Sequence, residues 1–147
     1  MVAVAVTVVA VAGPTACSTD AADQKVIERL SKLDVMTVPA GATELSRTSS
    51  KGGGNSVIRN ASGIDLVYAT TQEPAEVGRD FHARVGQNWR LIDLHGAPAG
   101  GWKASGALAS DPGTITNILA RPPAPGDKAP AGSRSVVTVS VSATRPA

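Results

Sequence analysis

The chain has 147 residues and a formal net charge of +2, and its acidic and basic side chains are interspersed from Asp20 onward. Because no dense run of Lys and Arg could neutralise several phosphates together, we do not expect a nucleic-acid partner. The single cysteine excludes an internal disulfide bond and a zinc site built from several thiolates. With one Phe, one Tyr and two Trp, the sequence predicts one domain with a modest, mainly aliphatic core.

Met1 to Gly13 form an uncharged apolar run in which Val and Ala predominate. Its length is that of the hydrophobic region of a secretory signal peptide, and it is shorter than the roughly 20 apolar residues that span a bilayer. The alternation of Val and Ala is also compatible with a buried β-strand, because periodicity alone does not separate the two. We expect a signal peptide over residues 1–16.

The apolar run leads into Pro14-Thr15-Ala16-Cys17, which resembles the signal of bacterial lipoproteins, whose lipobox places small residues before an obligatory cysteine. Thr15, Ala16 and Cys17 match that pattern, and Pro14 stands where the family usually carries an aliphatic residue. The resemblance implies cleavage before Cys17 and a diacylglyceryl group on its sulfur. Such palmitate-type chains anchor a protein to the outer face of the cell membrane. The alternative is a plain secretory leader with a coincidental cysteine, and a secreted product.

The mature chain is expected to begin with the lipidated cysteine and a short tether over 17–24, followed by one domain over 25–147 with a Pro-rich loop at 122–132. A short N-terminal helix is predicted by apolar residues at spacings of three and four, namely Val26, Ile27, Leu30 and Leu33. This apolar stripe has two interpretations, since it could pack on the domain or lie in the lipid interface beside the anchor.

One further helix and several short strands are predicted after this segment. Pro74 suits a first helical turn, and Val77, Phe81 and Val85 follow at intervals of four residues. Strands are predicted over 42–50, 57–59, 64–71, 89–94, 102–110, 114–119 and 135–142, separated by turns at 51–55, 60–63, 96–101 and 111–113.

This order of elements predicts an α+β fold. A β-hairpin, a helix and a β-meander follow one another along the chain, and the strands form one antiparallel sheet. The main helix is expected to pack on one face of the sheet. Together with the leader, the order is similar to that of small uncharacterised lipoproteins of high-GC Gram-positive bacteria, a resemblance that implies no particular activity.

Catalytic patterns are absent from the sequence, which contains no GxSxG, Ser-x-x-Lys or HExxH motif. His82 and His95 are the only imidazoles, and we interpret them as surface or structural residues. Asp65, Asp93 and Asp111 are candidates for a carboxylate pair, but strand alternation directs Asp65 towards solvent. We therefore expect no enzymatic activity, no cofactor and no metal site.

Trp89 and Trp102 each open a predicted strand next to a turn, so we expect them near one end of the sheet, with Tyr68 and Arg90 as neighbours. Exposed tryptophans bind sugars or protein partners, although core packing is the alternative. The sequence thus suggests a non-catalytic envelope module that binds an extracytoplasmic protein or a cell-wall polymer. The alternatives are an envelope enzyme with an unrecognised site and a structural or regulatory accessory of a membrane protein.

Overall fold

The computed structural model describes residues 17–52 and 61–144, so the predicted signal peptide over 1–16 and the predicted strand over 57–59 lie outside the described residues. Helix α1 covers Cys17–Ser31, a 3-10 turn covers Asp34–Met36, and helix α2 covers Pro74–Val85. The strands are β1 (Thr43–Ser50), β2 (Ala61–Thr70), β3 (Trp89–Asp93), β4 (Trp102–Leu108), β5 (Asp111–Arg121) and β6 (Ser135–Thr144).

The strands form one antiparallel six-stranded sheet in the order β1-β2-β6-β5-β4-β3, which confirms the predicted α+β class. The last strand of the chain, β6, lies in the middle of the sheet between β2 and β5. Its sequence suits that place, because Val137, Val139 and Val141 alternate with polar residues and are fully or almost fully buried. The two edge strands are β1 and β3.

Both helices pack on the same face of the sheet, which we call the covered face. Helix α1 contributes Val26, Ile27 and Leu30 to the core, and Leu33 packs against that core from its edge. The apolar stripe of the N-terminal helix therefore packs on the domain. The core also contains Val77, Phe81 and Val85 of α2 and inward-facing residues of the strands, namely Ile64, Leu66, Tyr68, Ile118, Ala120, Val137, Val139, Val141 and Ala143.

Helix α2 begins where the sequence predicts, at Pro74. A reciprocal capping box fixes this start, with the side chain of Glu76 accepting a hydrogen bond from the backbone N–H of Glu73 at 2.8 Å. Arg134, just before β6, donates to Glu73 at 2.9 Å and ties the cap to the centre of the sheet.

Three local predictions differ from the structure. Strand β2 already begins at Ala61, inside the predicted turn, because Ser62 is buried and its hydroxyl donates to the buried Asp23 of α1 at 3.2 Å.

The 111–113 segment belongs to strand β5, and the turn lies at Ala109–Ser110 instead. Asp111 accepts hydrogen bonds from Thr114 and Arg29, which hold this strand start in place. Helix α1 begins at Cys17, so the expected tether over 17–24 is helical.

Candidate functional site

Trp89 and Tyr68 are core residues, with 2% and 1% of their surface exposed. The indole N–H of Trp89 donates to Asp34 Oδ1 at 2.8 Å, and Asn88 Nδ2 donates to the other oxygen of the same carboxylate at 2.8 Å. Trp89 thereby holds the 3-10 turn against the start of β3. Burial raises the pKa of the Tyr68 hydroxyl well above its ordinary value, so this side chain stays neutral inside the core.

Trp102 is half-buried beneath helix α2. Its ring stacks on that of Phe81, with 5.9 Å between the ring centroids, and its indole N–H donates to Asp93 Oδ1 at 3.1 Å. The ring lies so close to α2 that a Cβ atom at Gly78 would come within 2.8 Å of it. This tryptophan is therefore a packing contact between α2 and β4.

The expected surface of Trp89, Trp102, Tyr68 and Arg90 does not form. Trp89 pairs with Leu108, at the end of β4, whereas Trp102 opens β4, so the two indoles lie at opposite ends of this strand pair. The expectation of a shared end is wrong because β3 and β4 are antiparallel neighbours, and the first residues of such strands lie at opposite ends. Arg90 is exposed on the other face of the sheet.

His82 and Asp93 form an exposed pair that joins α2 to β3, with Nε2 and Oδ1 2.8 Å apart. The hydrogen bond from His82, together with that from Trp102, lowers the pKa of Asp93. Asp65 is exposed on the opposite face, and Asp111 at the start of β5 pairs with Arg29 at 2.9 Å, so the three aspartates form no dyad. His95 is exposed after the end of β3.

The face of the sheet opposite the helices, which we call the open face, carries a row of polar side chains across five strands. Strand pairing places them in one line, in the order Thr48, Asp65, Ser140, Asn117 and Ser105. At the usual strand spacing this polar row is about 19 Å long. On β2, β4, β5 and β6 these side chains alternate with buried residues of the same strand and point away from the helices.

A shallow groove of about 440 Å³ runs beside the polar row. The loop between β3 and β4 forms one wall through Gly96 and Pro98, and the floor includes Lys103, Asn117, Leu119, Thr138 and Ser140. In the described part of the chain, neither Lys103 nor Arg90, which lies on the same face towards the other end of β3, takes part in an ion pair. We call this depression the open-face groove.

An apolar patch adjoins the open-face groove at the β3 edge. Ile92 is 67% exposed, and Leu94 and Ile115 are 38% and 39% exposed. Together with Arg90 and Ala107 they line a second depression.

The sequence indicated that the Thr and Ser residues of β6 face away from the core. The residues that lie beside them on the open face come from other strands, and the sequence did not reveal the order of those strands.

Within 17–52 and 61–144, no helix is long and apolar enough to cross a membrane. Over the same residues, no three His, Cys, Asp or Glu side chains gather in a way that could hold a metal ion. Comparisons with protein-family models, with curated proteins and with solved structures find no match to this chain.

Proposed function

We propose that this chain is an exported, lipid-anchored module of the bacterial envelope that binds an anionic, hydroxyl-rich cell-wall polymer without catalysis. The sequence of the leader and Cys17 supports the location, and the open face of the sheet supports the binding role. The open-face groove is the observation that carries the proposal, because it combines amide and hydroxyl side chains with Lys103, which forms no ion pair within the described residues.

Polar side chains on the two faces differ in how their hydrogen bonds are used. On the covered face, Thr116 donates to the Ser140 carbonyl at 3.2 Å and Thr114 donates to Asp111 at 2.7 Å. On the open face, Ser105 donates to the Thr116 carbonyl at 3.4 Å, but Asn117, Thr138 and the hydroxyl of Ser140 make no side-chain hydrogen bond within the described residues. These groups remain free to donate to and accept from a ligand.

The charge of the open face favours an anionic ligand. Lys103 lines the open-face groove and Arg90 lines the apolar patch. The one acidic side chain that the described strands direct to this face is Asp65, three strands from Lys103. The described aromatic side chains that could anchor a protein partner, Tyr68, Phe81, Trp89 and Trp102, belong to the covered face. The open face therefore suits a polar polymer better than a protein partner that binds through aromatic anchors.

Lipid on Cys17 would hold the domain close to the bilayer. Helix α1 begins at Cys17, and Asp23, one and a half turns later, is already buried against β2 through Ser62. Six helical residues measure about 9 Å along the axis. The attachment would thus be short and helical, and the binding face would stay within reach of polymer next to the membrane.

The experiment compares the wild-type chain with Cys17→Ala and with Lys103→Gln/Asn117→Ala. We expect the intact mass of the membrane-bound wild type to include the lipid, and the Cys17→Ala protein to leave the membrane fraction. On isolated cell walls, the double variant should bind at least about tenfold more weakly, because it loses a charge-assisted hydrogen bond worth roughly 1.5–3 kcal/mol.

Arg79→Gln is the matched control for binding, since Arg79 is an exposed cation on α2, away from the open face. Equal wall binding by the wild type, the control and the double variant would exclude the open-face groove as the binding site. An unmodified Cys17 in the mature protein would exclude the lipid anchor while leaving the binding result valid.

A further inference from the structure

The two edge strands of the sheet differ in how they are protected against pairing with another chain. Strand β1 has a register shift between Glu44 and Ser46, carries the charged pair Glu44 and Arg47, and exposes small polar residues along its length. Bulges and charges are the usual devices that prevent edge strands from pairing. By this measure the β1 edge is blocked.

The β3 edge also carries charges, at Arg90 and Asp93, but it has no bulge. Its pairing with β4 is regular, and its exposed residues include Ile92, the most exposed of the large hydrophobic side chains in the described part of the chain. Leu94 N–H donates to the Lys103 carbonyl at 2.8 Å, so these two residues form a hydrogen-bonded pair. Because such pairs alternate in an antiparallel ladder, Ile92 and Arg90 also bond inward to β4. The main-chain groups of Trp89, Leu91 and Asp93 therefore point outward.

We propose that the β3 edges of two copies of this chain pair antiparallel about Leu91 and join two sheets into one. Leu91 of one copy then forms a hydrogen-bonded pair with Leu91 of the other, and Trp89 pairs with Asp93 on either side. All the outward main-chain groups of β3 find partners in this register. The arrangement has two-fold symmetry and closes on itself.

The side chains on the open face also match in this register. Arg90 of one copy lies opposite Ile92 of the other, so no two like charges face each other directly. The aliphatic part of Arg90 covers the exposed Ile92, while its guanidinium group stays in water. The partner is a second copy of this chain because β3 itself contains both residues of the contact, Arg90 and Ile92.

The interface is small, since β3 contributes five residues from each copy. Stable dimers bury more area than a single edge of this length provides, so we expect rapid exchange between monomer and dimer. A covalent trap captures such a complex and also reports its register. The inference is independent of the lipid anchor and of the polymer proposed above.

The test uses the full chain with Cys17→Ala, which leaves no native cysteine. Adding Leu91→Cys should give a disulfide-linked dimer under mild oxidation, because the two Cα atoms lie about 5.5 Å apart in a hydrogen-bonded pair, within the range of a disulfide. Thr48→Cys, at the middle of the β1 edge, is the matched control. We expect at least a fivefold higher dimer yield from Leu91→Cys.

The register is tested with Arg90→Cys and Ile92→Cys, which should cross-link when mixed and much less when alone. Adding Ile92→Lys to Leu91→Cys should reduce trapping severalfold in a protein whose circular dichroism shows that it is folded. Equal trapping at Leu91→Cys and Thr48→Cys, or trapping unaffected by Ile92→Lys, would overturn the proposal. A β3 edge without a second copy would then be open to a strand of another envelope protein.

Discussion

Trp89 and Trp102 each donate an indole hydrogen bond to an aspartate, but in different surroundings. Asp34, the acceptor for Trp89, also accepts from Val35 N–H and Asn88, and the indole is buried. Asp93, the acceptor for Trp102, has 61% of its side chain exposed and can replace a lost donor with water. The same chemical bond therefore contributes differently to stability at the two positions.

Replacing each tryptophan with phenylalanine measures this difference. We expect Trp89→Phe to lower the free energy of unfolding by about 2–4 kcal/mol, since it leaves a cavity and removes a donor from a partly buried carboxylate. Trp102→Phe, the same change at the half-buried site, should cost below about 1.5 kcal/mol. Urea unfolding followed by circular dichroism compares the two. Equal losses would show that the Asp34 network does not support the fold.

At the level of elements, the sequence predicted what local patterns encode. The Pro74 helix, the alternation of β6 and the strand that begins at Trp89 are all present. Strand order is not a local property, so the central position of β6 and the assembly of the open face could not be predicted. The prediction of a turn at Asp111-Pro-Gly was wrong for a similar reason. Arg29, on a helix distant in the sequence, helps to hold that segment in β5.

Helix α2 approaches the sheet closely because it has a glycine where Trp102 packs. Gly78→Leu places a side chain where a Cβ atom alone would already lie 2.8 Å from the indole, so the helix or the ring must move. We expect a loss of about 1–3 kcal/mol in the free energy of unfolding and a changed tryptophan emission spectrum. Ala75→Leu, at an exposed position of the same helix, is the control and should leave both unchanged. Unchanged stability in Gly78→Leu would contradict this packing.

On the scale of the whole molecule, the two faces of the sheet differ in the side chains that they carry. Both helices and the buried aromatic residues lie on the covered face, whereas the open face carries the polar row, the apolar patch and two cations, Arg90 and Lys103, that form no ion pair within the described residues. The sequence predicted a helix on one face, but it placed the possible binding surface on the tryptophans. Tryptophan is a large apolar side chain, and in this small aliphatic core it contributes more to folding than it could at the surface.

Helix α1 is part of the same folding unit as the sheet, although the sequence suggested a tether at its start. Leu30 is fully buried among core residues, and Arg29 binds Asp111 at the start of β5. We therefore expect Leu30→Ala to lower the free energy of unfolding by about 2–5 kcal/mol. Tryptophan fluorescence and far-ultraviolet circular dichroism should shift together to the same lower urea midpoint. The exposed neighbour Lys25→Ala should leave the midpoint in place. If the circular dichroism midpoint shifted and the fluorescence midpoint of Trp89 and Trp102 did not, α1 would unfold independently of the sheet. A lipid on Cys17 would then hold the domain by a flexible link rather than by a docked helix.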